Sequence, residues 1–145
     1  MTKRLVPMLA AMLFLGAATA AVAEDVPVQV AYYYKVRWGF QQEFERLFLK
    51  NHYPVLMETK QRGRVQDVKL FRPTYHLKDD WTFLVVITYP SWAAFGSPSE
   101  EEAITKKLYP DYALFQKEEQ RRFEILDAHW DVPLNELDLT QPAGR

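Results

Sequence analysis

The chain has 145 residues, 18 Lys+Arg against 19 Asp+Glu, and no cysteine. That charge balance argues against a nucleic-acid surface, which needs a basic stripe, and gives no pull toward an anionic membrane. The missing cysteines exclude disulfides and thiol chemistry, so stability has to come from a hydrophobic core.

The first segment reads as an export signal. Lys3 and Arg4 precede an apolar run from Leu5 to Ala21, then Ala21-Val22-Ala23, then Glu24-Asp25. The layout predicts cleavage after Ala23 and a periplasmic or secreted protein. The alternative is an uncleaved anchor, since the run approaches the length of a span; the Ala-x-Ala site and the acidic residues after it favour cleavage. Loss of Lys3 and Arg4 takes the 18 basic residues to 16 against 19 acidic ones, a charge of −3 with no membrane segment left. The expected division is then 1–23 signal peptide, 24–132 one folded domain and 133–145 a polar arm with Leu134, Leu137 and Leu139.

From Val28 to Trp38 apolar residues alternate with Gln29, Ala31, Tyr33, Lys35 and Arg37, which predicts a strand closed by Gly39. Phe40, Phe44, Leu47, Phe48 and Val55 then recur at helical spacing, with Asn51 inside the stripe. Pro54 predicts a kink or break in this helix, and Gly63 its left-handed stop. Strand two is expected over Arg64–Arg72. A polar hairpin loop with His76 and Lys78-Asp79-Asp80 leads to strand three over Trp81–Tyr89. Strand three is apolar on both sides, as a central strand would be.

Ser91–Phe95 predicts one short helical turn. The second helix is expected from Ser97 as N-cap, with Pro98 at the first position and Glu100 three residues after the cap. Pro110 interrupts this helix as Pro54 interrupts the first, and each sits in a Lys-x-x-Tyr-Pro segment. Strand four is expected over Arg122–Val132.

The order is therefore βαββαβ, an α+β ferredoxin-like fold: a four-stranded antiparallel sheet with two helices on one face. The open face keeps apolar side chains, namely Ala31, Tyr33, Leu84 and Val86, with Val68 and Leu70 from strand two. The simplest cover is the same face of a second copy, so a homodimer is expected. The element order, the aromatic first strand and the His52-Tyr53-Pro54-Val55 segment resemble the dimeric α/β-barrel superfamily, and the His-x-Pro segment is most similar to the EthD family. Antibiotic-biosynthesis monooxygenases and NIPSNAP-like proteins share that architecture. The resemblance implies a dimer through the open sheet face, forming a dimeric α/β barrel. It also implies a range of activities that includes cofactor-free oxygenases and isomerases.

Among side chains that could carry chemistry, His52 stands one turn beyond Phe48, where Pro54 deprives the Lys50 carbonyl of its usual partner. It is the candidate general base; the structural alternative is a histidine at a helix edge bonded to protein or water. Asn51 is the candidate to orient a substrate; its alternative is an amide that closes the kink. Tyr34, Trp38, Phe48 and Trp81 are candidate walls of an apolar slot, the alternative being core and dimer interface. Asp127, His129 and Asp131 lie at alternate positions of strand four. They are read as charges guarding a sheet edge rather than as metal ligands. Phosphate loops, nucleophile elbows and paired-cysteine sites are absent, and neither metal nor cofactor is expected. The sequence thus predicts an exported protein that binds an apolar or aromatic small molecule. A cofactor-independent oxygenase or isomerase and a non-catalytic binding module are both compatible with it, as is a purely structural homodimer.

Overall fold

The computed structural model describes residues 26–75, 80–137 and 139–140. The expected signal segment, His76, Lys78 and Asp79 lie outside the described residues. Four strands form one antiparallel sheet: β1 (Val28–Val36), β2 (Asp67–Phe71), β3 (Phe83–Tyr89) and β4 (Leu126–Leu134), in the spatial order β2-β3-β1-β4. Both helical runs lie on one face, which is the ferredoxin-like arrangement expected from the sequence. Alternation in β1 and β3 turns Tyr34, Val36, Phe83, Val85 and Ile87 toward the helices, where they meet Phe44, Leu47, Phe48 and Leu56 in a single core.

The first helical run does not break at Pro54. It is α1 (Gln41–Leu47), a π-helical turn (Phe48–His52) and α2 (Tyr53–Gln61). An α-helical proline would clash with the Lys50 carbonyl and leave it without a donor. The π turn admits one extra residue, so the Tyr53 N–H reaches back to the Phe48 carbonyl. The freed carbonyls of Lys50 and Asn51 accept from the Tyr109 hydroxyl at 3.1 and 2.7 Å. Gly63, at φ +76°, ends the run as expected.

The second run is more divided. The short α3 (Trp92–Gly96) is capped by Ser91, whose side chain accepts from the Ala94 N–H. Ser97 is not the N-cap of the next helix: its hydroxyl donates to the Ala94 carbonyl, and Arg64 holds the Ser97 and Pro98 carbonyls, leaving Ser97 extended. α4 (Glu101–Leu108) therefore starts later than predicted. Here the proline does break the helix, and α5 (Tyr112–Glu124) restarts on an Asp111 cap. α5 also absorbs the predicted start of strand four, because Arg122 stays helical and pairs with Glu119 one turn back. β4 begins at Leu126 and runs on to Leu134. Pro133 is tolerated there because β4 bonds to β1 alone, as an edge strand.

Register corrects one assignment on the open face. Val68 pairs with Ile87 and Leu70 with Val85, so both face the helices, and Val68 packs on the core. The open face instead carries Ala31 and Tyr33, Leu84 and Val86, and Trp130 and Val132, with Phe71 at one edge. Leu137 and Leu139, 77% and 92% exposed, do not fold back over it.

Candidate functional site

Between sheet and helices lies a polar layer that the apolar stripes do not announce. Its centre is Arg122, only 1% exposed. Its guanidinium pairs with Glu119 at 2.7 Å and lies 5.9 Å from the ring centroids of both Phe44 and Phe48, and 4.5 Å from that of Phe123. Nη1 has no hydrogen-bond partner among the described residues. A buried, incompletely satisfied ion pair costs desolvation that its Coulomb energy only partly returns, so this pair is weak evidence of stabilisation.

His52 stands beside this pair, with Nδ1 3.9 Å from Glu119 and its ring 5.3 Å from that of Phe48. Burial pushes its pKa down to about 3, and the positive charge of Arg122 and the proximity of His129 act in the same direction. His52 is thus neutral across the physiological range. Across the layer, Tyr34 packs on His129 at 4.3 Å between centroids, and burial pushes its hydroxyl up to about 12 against the opposing pull of Arg122. His129 Nε2 lies 3.4 Å from Asp131. These two occupy the helix side of β4, opposite Tyr34 and Tyr32 in register. Among the described residues no group of three His, Cys, Asp or Glu side chains is placed to hold a metal. Tyr32 and Tyr89 share a hydroxyl–hydroxyl bond of 2.9 Å, and burial raises both pKa values.

His52 and Tyr89 line a cavity of about 170 Å³. Its apolar wall is Val55, Leu56, Phe95 and Ile104; its polar wall includes Arg64, Ser97, Ser99 and Glu101. The first helical run supplies His52, Val55 and Leu56, the end of β3 supplies Tyr89, and the α3–α4 connection closes the other side.

The residues singled out in the sequence separate into three places. His52, Tyr34 and Phe48 belong to the layer under the first helical run, and His52 alone among them lines the cavity. Asn51 is 1% exposed and faces α5: its Nδ2 donates to Glu118 at 2.9 Å, while its Oδ1 has no partner among the described residues. It is not among the residues that line the cavity at His52. Trp38 is 76% exposed in the turn after β1, and Trp81 packs edge-on to Tyr33, an open-face residue. The structure does not bring those two tryptophans to His52. Sequence reasoning missed Arg122, Glu119, Tyr89, Arg64 and Glu101. A Glu and an Arg three apart within one helix carried the only available signal, and it reads equally well as a solvated pair.

No protein-family model matches the chain, and no curated protein does. Among solved structures, it is similar to a mutant form of SnoaB, a cofactor-independent oxygenase from Streptomyces nogalater, at 15% identity and TM-score 0.46, over 79% of this chain and 98% of that one. It is also similar to the hydroxynitrile lyase from Passiflora edulis at 13% identity and TM-score 0.44, over 79% of this chain and 98% of that one.

Proposed function

We propose that this protein binds a small organic molecule, apolar along most of its length, with a hydrogen-bonding group that meets His52. One observation carries the reading: an imidazole kept neutral to about pH 3 lines a cavity beside the apolar side chains of Val55, Leu56, Phe95 and Ile104, with a polar wall opposite. About 170 Å³ is the size of a single ring; an engineered apolar cavity of about 150 Å³ elsewhere accepts benzene. A group with so low a pKa is a weak proton acceptor, which supports binding more than general-base catalysis. The catalytic version is a cofactor-independent oxygenase or isomerase with His52 as base; Asn51 and Tyr34, outside the cavity lining, are not placed to orient its substrate. It has one observation in its favour, the Glu119 carboxylate 3.9 Å from Nδ1, placed to stabilise an imidazolium formed in turnover.

The wider setting is part of the same proposal: export directed by residues 1–23, and a homodimer of the dimeric α/β-barrel type, EthD-like in its His52-Tyr53-Pro54 segment. The uncovered apolar side of the sheet supports the dimer. Calorimetric titration with p-cresol tests the site. Saturable one-to-one binding is expected, weakened about five- to tenfold in His52→Leu by the loss of one hydrogen bond. Absence of saturable binding, or equal affinity in a folded His52→Leu variant, would overturn it.

A further inference from the structure

The charges around the cavity are unevenly settled. Glu100 is tied to Arg62 at 2.9 Å, and Arg62 also holds Glu58 at 3.0 Å. Two further charged residues line the same cavity: Arg64 and Glu101. Arg64 spends its guanidinium on the neutral carbonyls of Pro98 and Ser97, the latter at 3.0 Å, so its head is fixed while, among the described residues, no carboxylate pairs with it. Among the described residues Glu101 forms no ion pair, although its backbone N–H is held by Ser99 at 3.1 Å. Although Glu101 is exposed on one side, partial desolvation raises its pKa; repulsion from Glu119 adds to the shift and the charge of Arg122 opposes it. A fixed cation and an unpaired carboxylate thus border one cavity without meeting each other. The same cavity is lined by the apolar Val55, Leu56, Phe95 and Ile104 and by His52.

Resting on the reading of this cavity as a binding site, we propose that its ligand is a free α-amino acid with a side chain of single-ring size. Its ammonium would turn to Glu101, its carboxylate to Arg64 and its side chain inward among Val55, Leu56 and Ile104. The choice follows from charge balance. A simple amine would pair with Glu101 but bring a second positive charge to Arg64. A simple carboxylic acid would do the reverse at Glu101. Only a ligand carrying both charges at one end pairs each group without a like-charge contact. A polar tip on the ring, such as a phenol hydroxyl, would reach the neutral His52.

Four probes that differ only at the outer end test this by calorimetry: L-tyrosine, tyramine, 3-(4-hydroxyphenyl)propionate and p-cresol. L-Tyrosine is expected to bind tightest. Glu101→Gln should weaken L-tyrosine and tyramine about five- to tenfold and leave p-cresol unchanged. Arg64→Gln should weaken L-tyrosine and the propionate in the same way, with p-cresol reporting that the cavity itself is intact. Equal affinity for p-cresol and L-tyrosine, or indifference of L-tyrosine to Glu101→Gln, would overturn the amino-acid assignment and leave the binding site standing. Failure of all four probes, p-cresol included, would overturn both.

Discussion

His52 shows what a buried polar residue costs. Its folded pKa of about 3 lies below the ordinary 6.5, so between those values the unfolded chain takes up a proton that the folded chain refuses. Stability should therefore be full above pH 7 and fall as pH drops through 6.5, the sign opposite to that of a histidine with a carboxylate partner. His129, whose pKa is also lowered mainly by burial, adds in the same direction. Between pH 7 and 5.5 the loss from His52 should be about 1 kcal/mol at most, reduced by the one-fifth of its side chain that remains exposed. That window precedes the titration of the carboxylates with lowered pKa, such as Glu118 beside Lys50 and Asn51. Urea unfolding at both pH values should show a shallower decline in His52→Gln than in the unmodified chain. Equal slopes would show that His52 is solvated rather than buried.

At the scale of elements, the two Lys-x-x-Tyr-Pro segments show how far local sequence decides structure. Pro54 and Pro110 are the same residue in the same short motif, yet one run passes through as a π turn and the other breaks. The difference is tertiary. Tyr109, from the second motif, donates to the carbonyls released at the first, and no amount of local reading places it there. Tyr109→Phe should accordingly cost about 1–2 kcal/mol in urea unfolding, since it strips the donor from two carbonyls at a helix that must stay wound. A cost near zero would mean that water replaces the hydroxyl freely. Elsewhere the strands, the short turn capped by Ser91 and the Gly63 stop were legible because alternation, capping and left-handed backbone are local properties. The start of β4 was not, because Arg122 reads as surface until its burial with Glu119 is seen. Much of the candidate site escaped for the same reason. Its polar members come from the first helical run, the segment after it, β3, α4 and α5, and only packing brings them together.

For the molecule as a whole, the unsettled balance lies on the far side of the sheet. Ala31 is already 1% exposed there, crowded by its cross-strand neighbours, whereas Trp130, Val132 and Leu134 on β4 and Phe71 on β2 are each more than a third exposed. Tyr33 stacks on Trp130 at 5.3 Å and meets Trp81 edge-on at 6.1 Å, so the centre of this face is flat, aromatic and ordered before any partner arrives. Four strands of nine, five, seven and nine residues, about 4.8 Å apart, make a plate of roughly 500 Å² before side-chain corrugation is counted. A standard interface buries about 800 Å² per partner, which such a plate reaches once its corrugated side chains and its rim contribute. Among the described residues of the arm, Leu137 and Leu139 do not provide the cover within one chain, since both are exposed. The protein from Glu24 onward should therefore scatter light as a dimer at micromolar concentration. Trp130→Lys should convert it to a folded monomer, because the side chain removed belongs to the open face while the core against the helices, from Phe44 to Val85, is untouched. A monomeric unmodified chain would place the cover elsewhere. A dimer undisturbed by Trp130→Lys would mean that two copies meet through another surface, leaving the aromatic face free for a different occupant.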